Sequence, residues 1–211
     1  MSEIQDGLGQ EYGYLAGWFI ETDEIDIYPS FPEDEKPMVH KFIEVARKVI
    51  PAVAEFPESL KENRKGAVVI ISNPEKGVLP VAIAINEDDK TDSEFGKKSN
   101  KHLAYALSKA MFAMQNKGAY GSRNNTEKWL KQGEGMMYVK ESPIPAGSFS
   151  YRGWVVAVSG FNPPEIDEAA AMAIHVGAGN LTPKVAKQMA DDMGNNDYLQ
   201  RTDAYLEPTY H

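Results

Sequence analysis

Hydrophobic positions along the chain alternate between helical and extended spacing. Between Glu35 and Ile50, Met38, Phe42, Val45, Ala46, Val49 and Ile50 recur at three and four, which predicts a helix with Pro37 in its first turn and Pro51 at its end. A weaker helical stretch continues toward Leu60. The pattern then changes. Gly66-Ala-Val-Val-Ile-Ile-Ser72 and Val78-Leu-Pro-Val-Ala-Ile-Ala-Ile85 are short apolar runs rich in β-branched residues, separated by the turn cluster Asn73-Pro-Glu-Lys-Gly77. Together they predict a β-hairpin. Pro80 lacks an N–H to donate, so its strand is expected to lie on an edge or to bulge there.

A polar loop from Asn86 to Lys98 precedes a helix predicted from Ser99 to Asn116, with Leu103, Leu107, Ala110, Met111 and Met114 as its buried stripe. Ala104, Ala106 and Ala113 would let that helix lie close to a sheet. Residues 119–135 read as an excursion between elements, and Met136 to Lys140 as a short strand. Phe149 to Arg152 and Gly153 to Ser159 read as one strand or as two in succession. Gly160-Phe-Asn-Pro-Pro164 launches a helix, with Asn162 as the expected cap and Glu165, Asp167 and Glu168 suiting the positive end of its dipole. Thr182-Pro183 opens a further helix to Met193, closed by Gly194. Helices around hairpin-connected strands predict an α+β fold, an antiparallel sheet with helices packed on it.

Charge modifies this picture at one end only. The net charge is −9, and the first 35 residues hold ten acids and no Lys or Arg. The rest of the chain is balanced, so no basic cluster for nucleic acid is visible. The acidic stretch also carries Tyr12, Tyr14, Trp18, Phe19, Tyr28 and Phe31, too many aromatics for a solvated tail. It is expected to be an arm that packs on its own domain or on a neighbouring subunit. The expected organisation is an N-terminal arm at 1–35, a domain at 36–194 and a C-terminal arm at 195–211 with Tyr198, Tyr205 and Tyr210. No apolar run approaches the roughly 18 residues of a membrane span. The acidic start does not resemble a signal peptide, so a cytoplasmic protein is expected.

The candidate chemistry is sparse. There is no cysteine, which excludes disulfides, thiolate metal sites and cysteine nucleophiles. His40, His102 and His175 lie on predicted helices, none at the spacing of a helical metal pair, and His211 is terminal. A single histidine can still serve as an axial ligand to haem iron. The acidic loop at 87–94 departs from an EF-hand, and no G-x-S-x-G nucleophile elbow is present. Adjacent Asp167 and Glu168 point about 100° apart on a helix and so do not form a carboxylate pair.

One stretch is more specific. Ser142-Pro-Ile-Pro-Ala-Gly-Ser-Phe-Ser-Tyr-Arg-Gly-Trp-Val-Val-Ala-Val-Ser-Gly160, followed by Ile166-Asp-Glu-Ala-Ala-Ala171, resembles the glycine-rich strand and acidic-pair helix of the GlcG/HbpS family, also called the haem-degrading or PduO C-terminal domain family. Ala106-Leu-Ser-Lys-Ala110 is similar to that family's A-x-x-K-A on the central helix, and the resemblance spans roughly residues 36–180. The family's R-M-D-G-A is replaced by Asn86-Glu-Asp-Asp-Lys-Thr-Asp-Ser93, and its glycine pair before Pro-Ile by Glu141-Ser142-Pro143. The resemblance implies a profilin-like sandwich, often oligomeric, whose members bind haem or corrinoid-type ligands.

On that reading the chain is a homo-oligomeric small-ligand-binding protein, assembled through its terminal arms, with haem or a related tetrapyrrole as ligand. Such a ligand needs an axial nitrogen, for which His40 and His102 are the candidates, and basic groups for its acids, for which Lys109 and Arg152 are. Lys109 could equally be a lysine snorkelling at a helix edge. One alternative is a cofactor-free enzyme on a small organic acid or carbonyl compound, with Lys109, Arg152, Tyr151 or Asp167 in acid–base roles. The other is a structural accessory subunit.

Overall fold

The amphipathic stripe that begins at Met38 does not stop at Pro51. In the computed structural model, which describes residues 32–86, 94–115 and 146–203, helix α1 runs from Lys36 to Ala54 with Pro51 inside it. Proline removes one N–H and crowds the carbonyl four residues back, here that of exposed Arg47. The disturbed position thus lies on the outer face, while Val49, Ile50 and Val53 on the inner face are buried and carry the helix through. A short helix, α2 (Pro57–Lys61), follows.

Strands β1 (Gly66–Asn73) and β2 (Val78–Asn86) form the expected hairpin around a 3₁₀ turn at Pro74–Lys76. Asn73 caps that turn by accepting from the Lys76 N–H, and Gly77 closes it in the left-handed conformation. The register slips between Ile71 and Asn73, which puts Leu79 and Pro80 in a bulge on an edge strand, where a missing donor costs least.

Helix α3 spans Glu94–Gln115, starting earlier than the apolar stripe indicates. Its first turns are polar, and polar residues extend an existing helix without leaving an apolar signature. Strands β3 (Ser148–Tyr151) and β4 (Trp154–Ser159) are two strands, not one. Arg152 and Gly153 between them both take positive φ (52° and 78°), the two-residue hairpin turn that matches strand twist.

Helix α4 (Pro164–Gly177) follows, and Asn162 is not its cap. The N-cap position is Pro163, and the Asn162 amide donates to Glu62 at the end of α2 instead. Helix α5 (Pro183–Met193) is capped as expected, by Thr182 at its start and Gly194 in the left-handed region at its end. Residues expected to begin a C-terminal arm form a further helix, α6 (Asn196–Asp203). It packs on its own domain: Leu199 is buried, Tyr198 stacks on Phe56, and Arg201 lies 4.1 Å over the Phe56 ring while gripping Glu58 with both terminal nitrogens. The acidic aromatic stretch before Pro32, the loop at 87–93, the excursion and short strand expected within 116–145 and the residues from 204 onward lie outside the described residues.

The four strands form one antiparallel sheet in the order β2-β1-β4-β3. Helices cover both faces, so the fold is α+β. Strand alternation sorts the core into two layers. Ala67, Val69 and Ile71 of β1 and Trp154, Val156 and Val158 of β4 face α1 and α4, with α5 and α6 beyond. Val68 and Ile70 of β1 and Val155 and Ala157 of β4 face α3, which meets them with Leu103, Ala106, Leu107, Ala110 and Ala113. Its alanines allow the helix to lie close. No helix among the described residues is long and apolar enough to cross a membrane.

Where β4 ends, Gly160 crosses the start of β1 so closely that a Cβ would overlap the Gly66 carbonyl oxygen and stand 2.7 Å from the Ala67 Cα. Those neighbours are backbone within a ladder and cannot yield. Gly160→Ala is therefore expected to destabilise the fold by about 3 kcal/mol, the upper range for overpacking, as measured by urea denaturation.

Candidate functional site

Three segments far apart in sequence converge at one end of the sheet. Lys109 on α3 lies on one face, and Asp167 in the first turn of α4 lies on the other. The Lys109 ammonium reaches past the start of β3 to donate to Asp167 Oδ2 at 2.8 Å and to the Val158 carbonyl at 2.7 Å. Asp167 Oδ1 accepts from the backbone N–H of Phe161 at 2.9 Å and of Gly160 at 3.2 Å. Both side chains are sealed, 1% and 3% exposed. Lys109 is thus not the snorkelling helix-edge lysine its sequence context allows: its whole length is packed and its charge is partnered internally.

Gly147 makes this passage possible. Its φ is +135°, and a Cβ there would overlap the Lys109 ammonium and lie 2.8 Å from both the Asp167 Cβ and the Val158 carbonyl oxygen. The Val158 N–H in turn donates to the Gly147 carbonyl at 2.7 Å, tying the loop before β3 to β4. Burial pushes the Asp167 carboxyl above its ordinary range, and the Lys109 ammonium and the two amides act against that rise. Glu168, one residue on, turns away as helical geometry requires and accepts from the Asn195 amide at 2.8 Å.

His102 sits on the sheet-facing side of α3, half-buried, with Nδ1 3.4 Å from the hydroxyl of Ser159 at the end of β4. Ser159 precedes Gly160, so this contact borders the Lys109–Asp167 cluster. His40 lies on α1, across the sheet from α3. The two candidate axial ligands therefore belong to opposite layers and cannot serve one site within this chain. Tyr151 and Arg152 lie at the β3–β4 turn, the far end of that hairpin from Gly147 and Ser159. Arg152 is exposed, its guanidinium 5.3 Å from the Tyr151 ring centroid. The structure thus brings together Lys109 and Asp167, with His102 nearby, and leaves His40, Tyr151 and Arg152 elsewhere.

A donor set for haem is consequently incomplete on these residues: His102 offers an imidazole beside the end of the interior strand β4, but Lys109 is committed to Asp167 and Arg152 lies at the other end of the β3–β4 hairpin. Among the described residues, no group of three or more His, Asp or Glu is placed to hold a metal ion.

His175, set aside by spacing alone, has a clear structural role. It is fully buried on α4 between the rings of Phe42 and Phe149, each 5.3 Å away and roughly perpendicular. Nε2 donates to the Phe149 carbonyl at 3.2 Å, and Nδ1 accepts from the Asn180 amide at 2.9 Å, whose second proton goes to the Tyr151 carbonyl. This network fixes the neutral tautomer and clamps α4 to β3. Asn180 lies in the loop after the helix, a partner that no spacing rule pairs with His175. Ser159 lacks the G-x-S-x-G context of a nucleophile, and its contact with His102, 57 residues away, carries no local pattern.

Comparison with family models, with curated proteins and with solved structures finds no match to this chain.

Two outcomes follow from this geometry. Desolvation lowers the His175 pKa from 6.5 to about 3, so the folded chain holds a neutral ring where the unfolded chain takes up a proton below pH 6.5. The stability from this residue is fully present above pH 6.5 and drains as pH falls toward 3, by about 1.4 kcal/mol per pH unit. His175→Gln, which does not titrate, should show a pH dependence of urea stability shallower by one proton over that window. Separately, Lys109→Met strands a buried carboxyl group and should cost about 3–5 kcal/mol by urea denaturation, and Lys109→Met combined with Asp167→Leu should regain only part of that loss, because the Gly160 and Phe161 N–H groups then lack their acceptor.

Proposed function

We propose that this chain is a small-ligand-binding protein of the GlcG/HbpS type, with haem or a related tetrapyrrole as its ligand and His102 as the imidazole that meets it. The observation that carries the reading is where the resembling segments meet. Lys109 comes from the Ala106–Ala110 motif, Gly147, Val158 and Gly160 from the glycine-rich strand, and Asp167 from the acidic pair of the following helix. These segments are separated in sequence, yet their polar and glycine positions form one cluster. A shared motif whose parts support one another in space is what a common architecture requires. A helix, a hairpin, a central helix and a second hairpin around an antiparallel sheet also fit the order that the resemblance implies.

His102 is preferred over His40 because it borders that cluster, while His40 stands in the opposite layer. The enzyme reading loses ground on the same geometry, since Lys109 and Asp167 neutralise each other and Tyr151 and Arg152 lie at the other end of the hairpin. The protein is read as cytoplasmic and as a homo-oligomer in which the acidic aromatic N-terminal segment contributes to assembly. The C-terminal segment has less to offer there, because α6 is engaged with its own domain.

Titration of the full chain with haemin, followed at the Soret band, tests the ligand. A saturable, stoichiometric shift that persists in His40→Ala and disappears in His102→Ala is expected. A shift that is absent, or unsaturable and indifferent to both substitutions, sinks the tetrapyrrole reading, and loss in His40→Ala alone overturns the choice of His102.

A further inference from the structure

Lys109 and Asp167 meet in surroundings that favour more than an ion pair. Three other lysine–carboxylate contacts among the described residues each have an open side: Glu33 is 83% exposed opposite Lys36, Lys76 is 50% exposed opposite Glu35, and both members of Lys48–Glu44 are exposed. Only Lys109–Asp167, among these pairs, is closed to solvent on both sides. Burial favours the uncharged carboxylic acid, as the raised Asp167 pKa reflects. Attack would need one proton to pass along the 2.8 Å contact, which leaves a neutral amine beside a neutral acid.

The remaining contacts suit attack by that amine. Asp167 Oδ1 faces two backbone N–H groups, of Gly160 and Phe161, which would stabilise negative charge on that oxygen as its carbon becomes tetrahedral. The Val158 carbonyl holds a second Lys109 proton and so orients the nitrogen beside the carboxyl group. Gly147 leaves the space in which the two side chains approach. Two groups 58 residues apart in sequence are thereby held together at high effective concentration, with bulk water excluded.

We propose that Lys109 and Asp167 become joined by an intramolecular amide, an isopeptide cross-link between α3 and α4. Lys109 Nζ bonds to Asp167 Cγ, and the Cγ–Oδ2 bond breaks. Two protons leave the ammonium nitrogen: the first passes to Oδ2, and the second follows as the tetrahedral intermediate collapses, so that Oδ2 departs as water. The amide nitrogen keeps one proton. No oxidant, reductant or further reactant takes part. The product places a neutral amide, with its oxygen on the Gly160 and Phe161 N–H groups, where an ion pair stood.

Intact-mass measurement of the full, denatured chain, with tandem mass spectrometry of its tryptic digest, decides the matter. The expected result is a chain lighter by one water than its sequence mass, and a branched peptide joining the segment that holds Lys109 to the segment that holds Asp167. Lys109→Met should return the chain to its sequence mass. A wild-type chain at full sequence mass, with Lys109 and Asp167 recovered in separate unmodified peptides, overturns the proposal, as does a water loss that maps to any other pair. Both readouts are independent of haemin binding, so they stand or fall apart from the ligand reading.

Discussion

A sheet with helices on both faces has a structural problem: its two hydrophobic layers do not touch each other except at the sheet's edges. In this chain the contact between Lys109 and Asp167 supplies that link. It joins α3, on one face, to α4, on the other, and it does so at the point where β4 ends and the chain must turn into α4. The carboxylate holds the turn by accepting from Gly160 and Phe161, while the ammonium holds the Val158 carbonyl near the end of β4. A hydrophobic side chain at either position could fill volume, but it could not satisfy these backbone groups. Buried polar groups must be paired, and here the pairing carries the geometry of three elements at once.

That arrangement constrains its neighbours. Gly147 cannot carry a side chain, because the Lys109 head occupies the place of its Cβ, and Gly160 cannot, because β1 passes too close. The small residues of α3 and of β4's α3-facing side bring helix and sheet near enough for a lysine to span the gap. On the other face, neutral His175 performs the corresponding task between α4 and β3, with Asn180 and the Phe149 carbonyl fixing its tautomer and two aromatic rings packed against it. Helix α4 is thus anchored at its start by an ion pair and at its end by an uncharged network. Both are sealed from water, and both depend on residues outside the helix.

This division explains what the sequence revealed. The β1–β2 hairpin was legible because β-branched runs and a Pro/Gly turn are local signals, and the bulge at Pro80 followed from one missing donor. The α3 stripe was legible from its period, although its polar first turns were not. Pro51 alone signals a helix end, but the burial of Val53 offsets proline's local cost and carries the helix past it. The α6 helix was hidden by its mean polarity, since its fixing contacts are to Phe56 and Glu58, far back in the chain. The site was the least legible part. Lys109 and Asp167 were each recognised as bearing chemistry, but their partnership crosses a sheet and 58 residues, and nothing in either local pattern indicates the other.

The commitment of these charges to one another bears on function. A lysine and an aspartate on the same turn of a cleft would suggest acid–base work, but here each is the other's partner and both are closed to solvent. A general acid or base must reach a substrate proton, and neither side chain can do so without first dismantling the fold's central contact. His102 differs in kind. It is half-buried, lies on the layer that the cluster anchors, and meets a serine hydroxyl at a distance long enough to be rearranged. The rigid cluster beneath it fixes the position of α3, and hence of the imidazole, without consuming the imidazole in that task. The charged cluster and the His102 imidazole are therefore adjacent but separate, one fixing the helix on which the other sits.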